Sequence, residues 1–94
     1  MGVYADYAAT TPVKPEVVDK MMTIYQTHFG NPSSIHSQGR DARSLLDASR
    51  RTVANYLNAQ PNEVVFTSGA TESNNTIIKG IAYANQSKGK HLIT

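Results

Sequence analysis

The sequence predicts an α/β fold: three helices and a βαβ unit, with a sheet that is incomplete. Two apolar runs and the stripe between them carry that prediction. Residues 63–67, "EVVFT", form a short β-prone run of the kind buried on both faces of a parallel sheet. Residues 91–94, "HLIT", open a second run. Between them Ile77, Ile78, Ile81 and Ala84 recur at helical spacing. Strand, helix, strand demands parallel pairing with a right-handed crossover. Two parallel strands make a poor sheet by themselves, and the chain stops inside an apolar run. The expectation is the front part of a longer protein.

The elements follow in order. "VYADY", residues 3–7, alternates weakly and reads as a short extended segment entering the loop "AATTP". Residues 1–14 are therefore read as an extended arm, and 15–94 as the body, truncated within a strand. Pro15 suits a first helical turn, where its missing N–H costs nothing, and Glu16 suits the positive helix end. Val17, Met21, Ile24 and Tyr25 repeat at helical spacing, widened by Val18 and Met22. The Met pair reads as core filling. Gly30 and Asn31-Pro32 stop this helix. Residues 30–40, "GNPSSIHSQGR", are a loop by composition. Ala42, Leu45, Leu46, Ser49, Val53, Tyr56 and Leu57 then mark an amphipathic helix from 38 to 58, with Tyr56 expected to pack. "NAQPNE" is a turn, and the third helix is expected from 71 to 86. Gly80 inside it costs about 1 kcal/mol against Ala, which points to close packing there.

Composition narrows the function classes. The chain has 94 residues, 39% apolar and 17% charged, with a net charge of +2. That suits one small globular domain. Arg40, Arg43, Arg50, Arg51, Lys88 and Lys90 are scattered, with no dense basic block among aromatics, which argues against nucleic acid. The chain contains no cysteine, so it holds no disulfide, thiolate metal site or thiol nucleophile. No apolar run reaches membrane-spanning length, and "MGVYADYAATTP" lacks the regions of an export signal. A soluble, cytoplasmic protein that binds no membrane is expected.

The chemistry concentrates at "FTSGATESNN", residues 66–75. A helix start leaves its first N–H groups unpaired and carries about half a positive charge. A glycine-containing turn before it lets the backbone approach a ligand and aim those groups at an anion. Thr71 adds a hydroxyl. The turn therefore suits a phosphate ester. Glu72 complicates this, because a carboxylate facing the same way would repel phosphate; it could point sideways or cap the helix. The alternative at this point is an ordinary β-to-α turn, since no fixed-length phosphate motif is present.

Three stretches together carry a resemblance. "YADYAATTP" (4–12), "FGNPSSIHSQGR" (29–40) and "EVVFTSGATESNN" (63–75) resemble, in order and spacing, the amino-terminal region of cysteine desulfurases. These are pyridoxal 5'-phosphate enzymes of fold type I, in the class V aminotransferase group. The resemblance spans essentially the whole chain. It implies the start of the large cofactor-binding domain of that fold. It implies that Ala70 and Thr71, with Gly69 close by, hold the cofactor phosphate through backbone N–H groups and the Thr71 hydroxyl. It also implies that Asn31, His36, Ala9 and Thr10 lie near the substrate mouth. Family members often have Ser-Asp-Asn after the Glu, whereas this chain has Ser73-Asn74-Asn75, which removes one negative charge from the helix start.

The resemblance further implies a homodimer that converts L-cysteine to L-alanine. The sulfur passes to an enzyme cysteine as a persulfide, and from there to an acceptor or scaffold protein for iron–sulfur cluster or thio-cofactor synthesis. The Schiff-base lysine, the pyridinium aspartate, the stacking histidine and the acceptor cysteine would all lie beyond Thr94. Residues 1–94 alone are expected to be inactive, with no catalytic residue and no metal ligand among them. Lys79 falls inside a helix, and Lys88 and Lys90 in a loop. Two alternatives stand. One is another enzyme of the same fold, an aminotransferase or selenocysteine lyase. The other is a non-catalytic α/β module using the 67–72 turn for a different phosphate ligand, or for none.

Overall fold

A computed structural model describes residues 2–93, and its elements are helical. Helix α1 spans Pro15–Thr27, α2 Ser37–Tyr56 and α3 Ala70–Ala84, with a short 3-10 turn at Pro61–Glu63 between α2 and α3. Helices α2 and α3 begin and end within two residues of their sequence expectations, and α1 begins at Pro15 and ends three residues before Gly30.

Local chemistry explains the boundaries. Pro15 occupies the first turn of α1 behind an extended Lys14, and Glu16 sits at the positive end. The His28 N–H closes that helix on the Ile24 carbonyl at 2.8 Å. At the start of α2, His36 is the capping residue: its Nδ1 accepts from the Gly39 N–H at 3.2 Å. After α2, Asn58 takes a left-handed conformation at φ 53°, a conformation Asn tolerates. The Ala59 N–H then returns to the Ala54 carbonyl at 2.9 Å. The Gln60 N–H donates to the Glu63 carboxylate at 2.7 Å, which fixes the 3-10 turn.

The loop before α2 is tightly folded. The Asn31 side-chain oxygen accepts from the Ser33 N–H, and its backbone oxygen accepts from the Ser34 N–H, both at 2.9 Å. Gly39 is buried against this loop. A Cβ there would lie 2.8 Å from both the Asn31 oxygen and the Ser34 Cβ, and closer still to the Ser34 oxygen. Gly30 faces the Gln38 backbone in the same way.

Packing between elements is sparse. Among the described residues, α2 and the 3-10 turn are the only pair of elements that pack together. Ala54 is the only buried apolar residue among them. The accessible surface is 8510 Å², where a compact protein of this mass exposes about 5300 Å². The Cα radius of gyration is 18.3 Å, against about 12 Å for a compact chain of this length.

Four expectations are corrected. The βαβ unit is not formed: neither 63–67 nor 91–93 is a strand, and Glu63 belongs to the 3-10 turn. Val64 is extended (φ −98°, ψ 121°), but a strand needs a ladder partner. No backbone hydrogen bond joins these two segments among the described residues. Thr94, the end of the second run, lies outside the described residues. Tyr56 does not pack; it is 90% exposed, because nothing described covers that side of α2. Met21 and Met22 are likewise exposed rather than core filling. At Gly80 the space a Cβ would occupy is open, with nothing within 4 Å, so no close approach explains it. The apolar stripes of α1 and α3 are present as read, but they face outward: Val17, Val18, Met21, Met22, Ile77, Ile78 and Ile81 are all exposed. No described helix is long and apolar enough to cross a membrane.

Candidate functional site

The start of α3 is built from its own sequence neighbours. Gly69 precedes the helix in an extended conformation, and its carbonyl accepts from the Ser73 N–H at 3.1 Å. The Thr67 and Ser73 hydroxyls meet at 2.8 Å, so the incoming segment is tied to the first turn of α3. The Glu72 carboxylate folds back onto Ser68, accepting from its N–H at 2.7 Å and from its hydroxyl at 2.6 Å. Glu72 therefore reaches back across the helix start to Ser68, next to Gly69, which is nearer the capping alternative than the sideways one. The Ser68 hydroxyl, and then the Ser68 N–H, hold its carboxyl below the usual carboxylate range. It is anionic at neutral pH.

Four successive N–H groups remain. Those of Gly69, Ala70, Thr71 and Glu72 donate to no acceptor among the described residues. No side chain caps the helix at Gly69. Thr71 is exposed, and its hydroxyl makes no hydrogen bond among the described residues. A Cβ on Gly69 would meet nothing within 4 Å, so the approach is open. This arrangement suits an anionic oxygen group: unpaired donors, a helix dipole and one free hydroxyl lie on successive residues, while the Glu72 carboxylate beside them is hydrogen-bonded to Ser68.

The second-rank residues sit in their own local turns. The Ala9 and Thr10 N–H groups donate to the Asp6 carbonyl at 3.0 and 3.4 Å. The Tyr4 hydroxyl bridges the Asp6 and Thr10 carbonyls, and its ring lies 5.4 Å from that of Tyr7. Asn31 and His36 both spend a side-chain acceptor on their own loop. No hydrogen bond among the described residues joins 4–12, 29–40 and 66–73. Asp6 and Arg40 form no ion pair among the described residues; Arg40 donates to the Ile35 carbonyl at 2.5 Å.

One contact of this region was legible in the sequence and one was not. The Ser68–Glu72 contact was legible in principle, as an acidic residue in the first turn reaching back to the residues before the helix. Arg50 was not. Its guanidinium lies 5.0 Å from the Phe66 ring centroid and donates to the Val64 carbonyl. No local pattern links residues so far apart.

Comparison with known proteins decides the family. The family model for aminotransferase class-V matches residues 3–94. The chain belongs to the class-V aminotransferase family. This class-V chain is 51% identical over 92 residues to the cysteine desulfurase IscS of Dictyoglomus turgidum, covering 98% of the chain and 23% of that protein. It is 54% identical over 97 residues to the cysteine desulfurase IscS of Shewanella woodyi, covering all of the chain and 24% of that protein. Among solved structures, a NifS-like protein superposes with a TM-score of 0.85 at 40% identity, over 93% of this chain and 24% of that one. The class-V chain thus spans about a quarter of the length of the proteins it matches. Its open arrangement, with almost no core of its own, is one that occurs within a much longer chain.

Proposed function

We propose that this sequence supplies the phosphate-holding turn of a cysteine desulfurase, with Gly69, Ala70 and Thr71 as the cradle for pyridoxal 5'-phosphate. The observation that carries the reading is the row of unpaired N–H groups from Gly69 to Glu72 beside the free Thr71 hydroxyl. Half-identity to IscS proteins over the whole chain supports it. When bound, the cofactor supplies an electron sink for chemistry at the substrate α-carbon. The backbone amides and the Thr71 hydroxyl bind and orient its phosphate, and Glu72 keeps its negative charge on Ser68. Asn31, His36, Ala9 and Thr10 lie at the substrate mouth in this reading, with residues 1–14 as an arm and 15–94 as the first part of the cofactor-binding domain. The reading carries with it a cytoplasmic homodimer, L-cysteine as substrate, and a sulfur acceptor or scaffold protein for iron–sulfur cluster assembly as partner. Residues 1–94 alone do not complete the reaction, because they hold no cysteine to take the sulfur.

The test uses the protein expressed from its full reading frame. It is expected to bind pyridoxal 5'-phosphate more tightly than pyridoxal, and to form alanine and a persulfide from cysteine. Thr71→Val is expected to weaken the phosphate ester about tenfold, the value of one hydrogen bond to a charged group, and to leave pyridoxal unchanged. Equal binding of the two compounds overturns the cradle. Transfer of the amino group without release of sulfur replaces the desulfurase reading with an aminotransferase.

A further inference from the structure

The segment that leads into the candidate cradle is held from another helix by one side chain. Arg50 lies on α2, and its guanidinium does two things at once. It donates to the Val64 carbonyl, and it sits against the Phe66 ring, 5.0 Å from the centroid. Both partners belong to the stretch between the 3-10 turn and Ser68. Thr67, the next residue, is tied to Ser73 in the first turn of α3 at 2.8 Å. The contacts therefore run from α2 through Arg50 to 64–66, and through Thr67 and Ser73 to the turn at Ser68–Thr71. Every other side-chain hydrogen bond among the described residues joins positions at most six apart, whereas this one spans fourteen.

We propose that Arg50 is a positioning residue for the phosphate-holding turn, acting through Val64 and Phe66 and touching no ligand itself. The proposal rests on the cradle reading. The chemistry favours arginine in particular. A planar guanidinium can donate in its own plane to a carbonyl while presenting a face to an aromatic ring. A lysine ammonium is a point donor and cannot hold both partners in one geometry. The site is partly buried, so the donor is less exposed to competition from water than the Arg43–Asp47 pair elsewhere on α2. Removing Arg50 frees the Val64 carbonyl and the Phe66 ring together. The amides at Gly69–Thr71 then sample more orientations, and a ligand that needs them aligned loses affinity.

The experiment measures pyridoxal 5'-phosphate and pyridoxal affinities side by side, in the protein expressed from its full reading frame, for the wild type, Arg50→Gln, Arg50→Lys and Phe66→Leu. The wild type is expected to prefer the phosphate ester. Arg50→Gln is expected to weaken the phosphate ester about tenfold, with pyridoxal within about twofold of the wild type. Arg50→Lys and Phe66→Leu are expected to fall between, each keeping one half of the contact. Should Arg50→Gln fail to fold, Arg50→Lys still decides: loss confined to the phosphate ester supports positioning, and equal loss for both compounds overturns it. A wild type that prefers the ester and an Arg50→Gln protein that prefers it equally overturn the Arg50 proposal and leave the cradle standing. A wild type with no preference overturns the cradle and the Arg50 role with it.

Discussion

Replacing Gly39 by alanine tests how tightly the 30–39 loop closes on α2. The added methyl would lie 2.8 Å from the Asn31 oxygen and from the Ser34 Cβ, with the Ser34 oxygen nearer still. Ordinary carbon contacts begin at about 3.5 Å, and two of these obstacles are backbone atoms that cannot swing aside. The loop must shift by a large fraction of an ångström. Overpacking of this kind costs about 1–3 kcal/mol. Loss of the Gly39 N–H bond to His36 adds to it, while the better helix propensity of alanine returns at most about 1 kcal/mol. A net loss of about 1–3 kcal/mol corresponds to local opening about 5- to 150-fold more frequent. Hydrogen exchange of the amides from Ser33 to Ala42, in the protein expressed from its full reading frame, reads that opening directly. The conformation concerned is local, so the comparison does not require two-state unfolding. Exchange within about twofold of the wild type would refute the closed loop and the role given to Gly39 in it.

Three further outcomes are expected. Because Ser68 lowers the Glu72 pKa in the folded state, the contact adds stability above the ordinary carboxylate pKa and loses it as pH falls through the lowered value; NMR titration of the Glu72 carboxyl should show a midpoint below that of a free glutamate, and Glu72→Gln should remove the accompanying shift of the Ser68 amide. His36→Ala should cost about 0.5–1 kcal/mol by removing the cap of α2, with His36→Asn restoring most of it, measured by exchange at Gly39 and Arg40. Gly80→Ala should stabilise α3 by about 0.5–1 kcal/mol in thermal melts, since its Cβ direction is open; a loss instead would show that a surface outside the described residues packs there.

Helices and turns were readable because their signals are local. Pro15 with Glu16, Gly30 with Asn31-Pro32, and the small residues 68–71 each act within one turn of the backbone, and the structure breaks its helices at those places. The α3 start was readable for the same reason. Burial was not. The stripes of α1 and α3 show which side is apolar, but whether Met21 or Ile81 is covered depends on what lies opposite, and nothing described does. The strands fail likewise: "EVVFT" has the composition of a buried strand, but pairing is a property of two segments. Arg50 is the sharpest case, because its partners lie fourteen and sixteen positions along the chain and leave no pattern within reach of its own helix.

The local character of the Thr67–Ser73 junction bears on the order of events at the ribosome. Its hydrogen bonds close over six residues or fewer, and contacts so short in sequence form in microseconds, far faster than translation adds residues. The turn can therefore take shape as soon as it leaves the exit tunnel. The greasy sides of α1 and α3 emerge with it and have nothing within residues 2–93 to shield them, so they stay in contact with water while this stretch is being made.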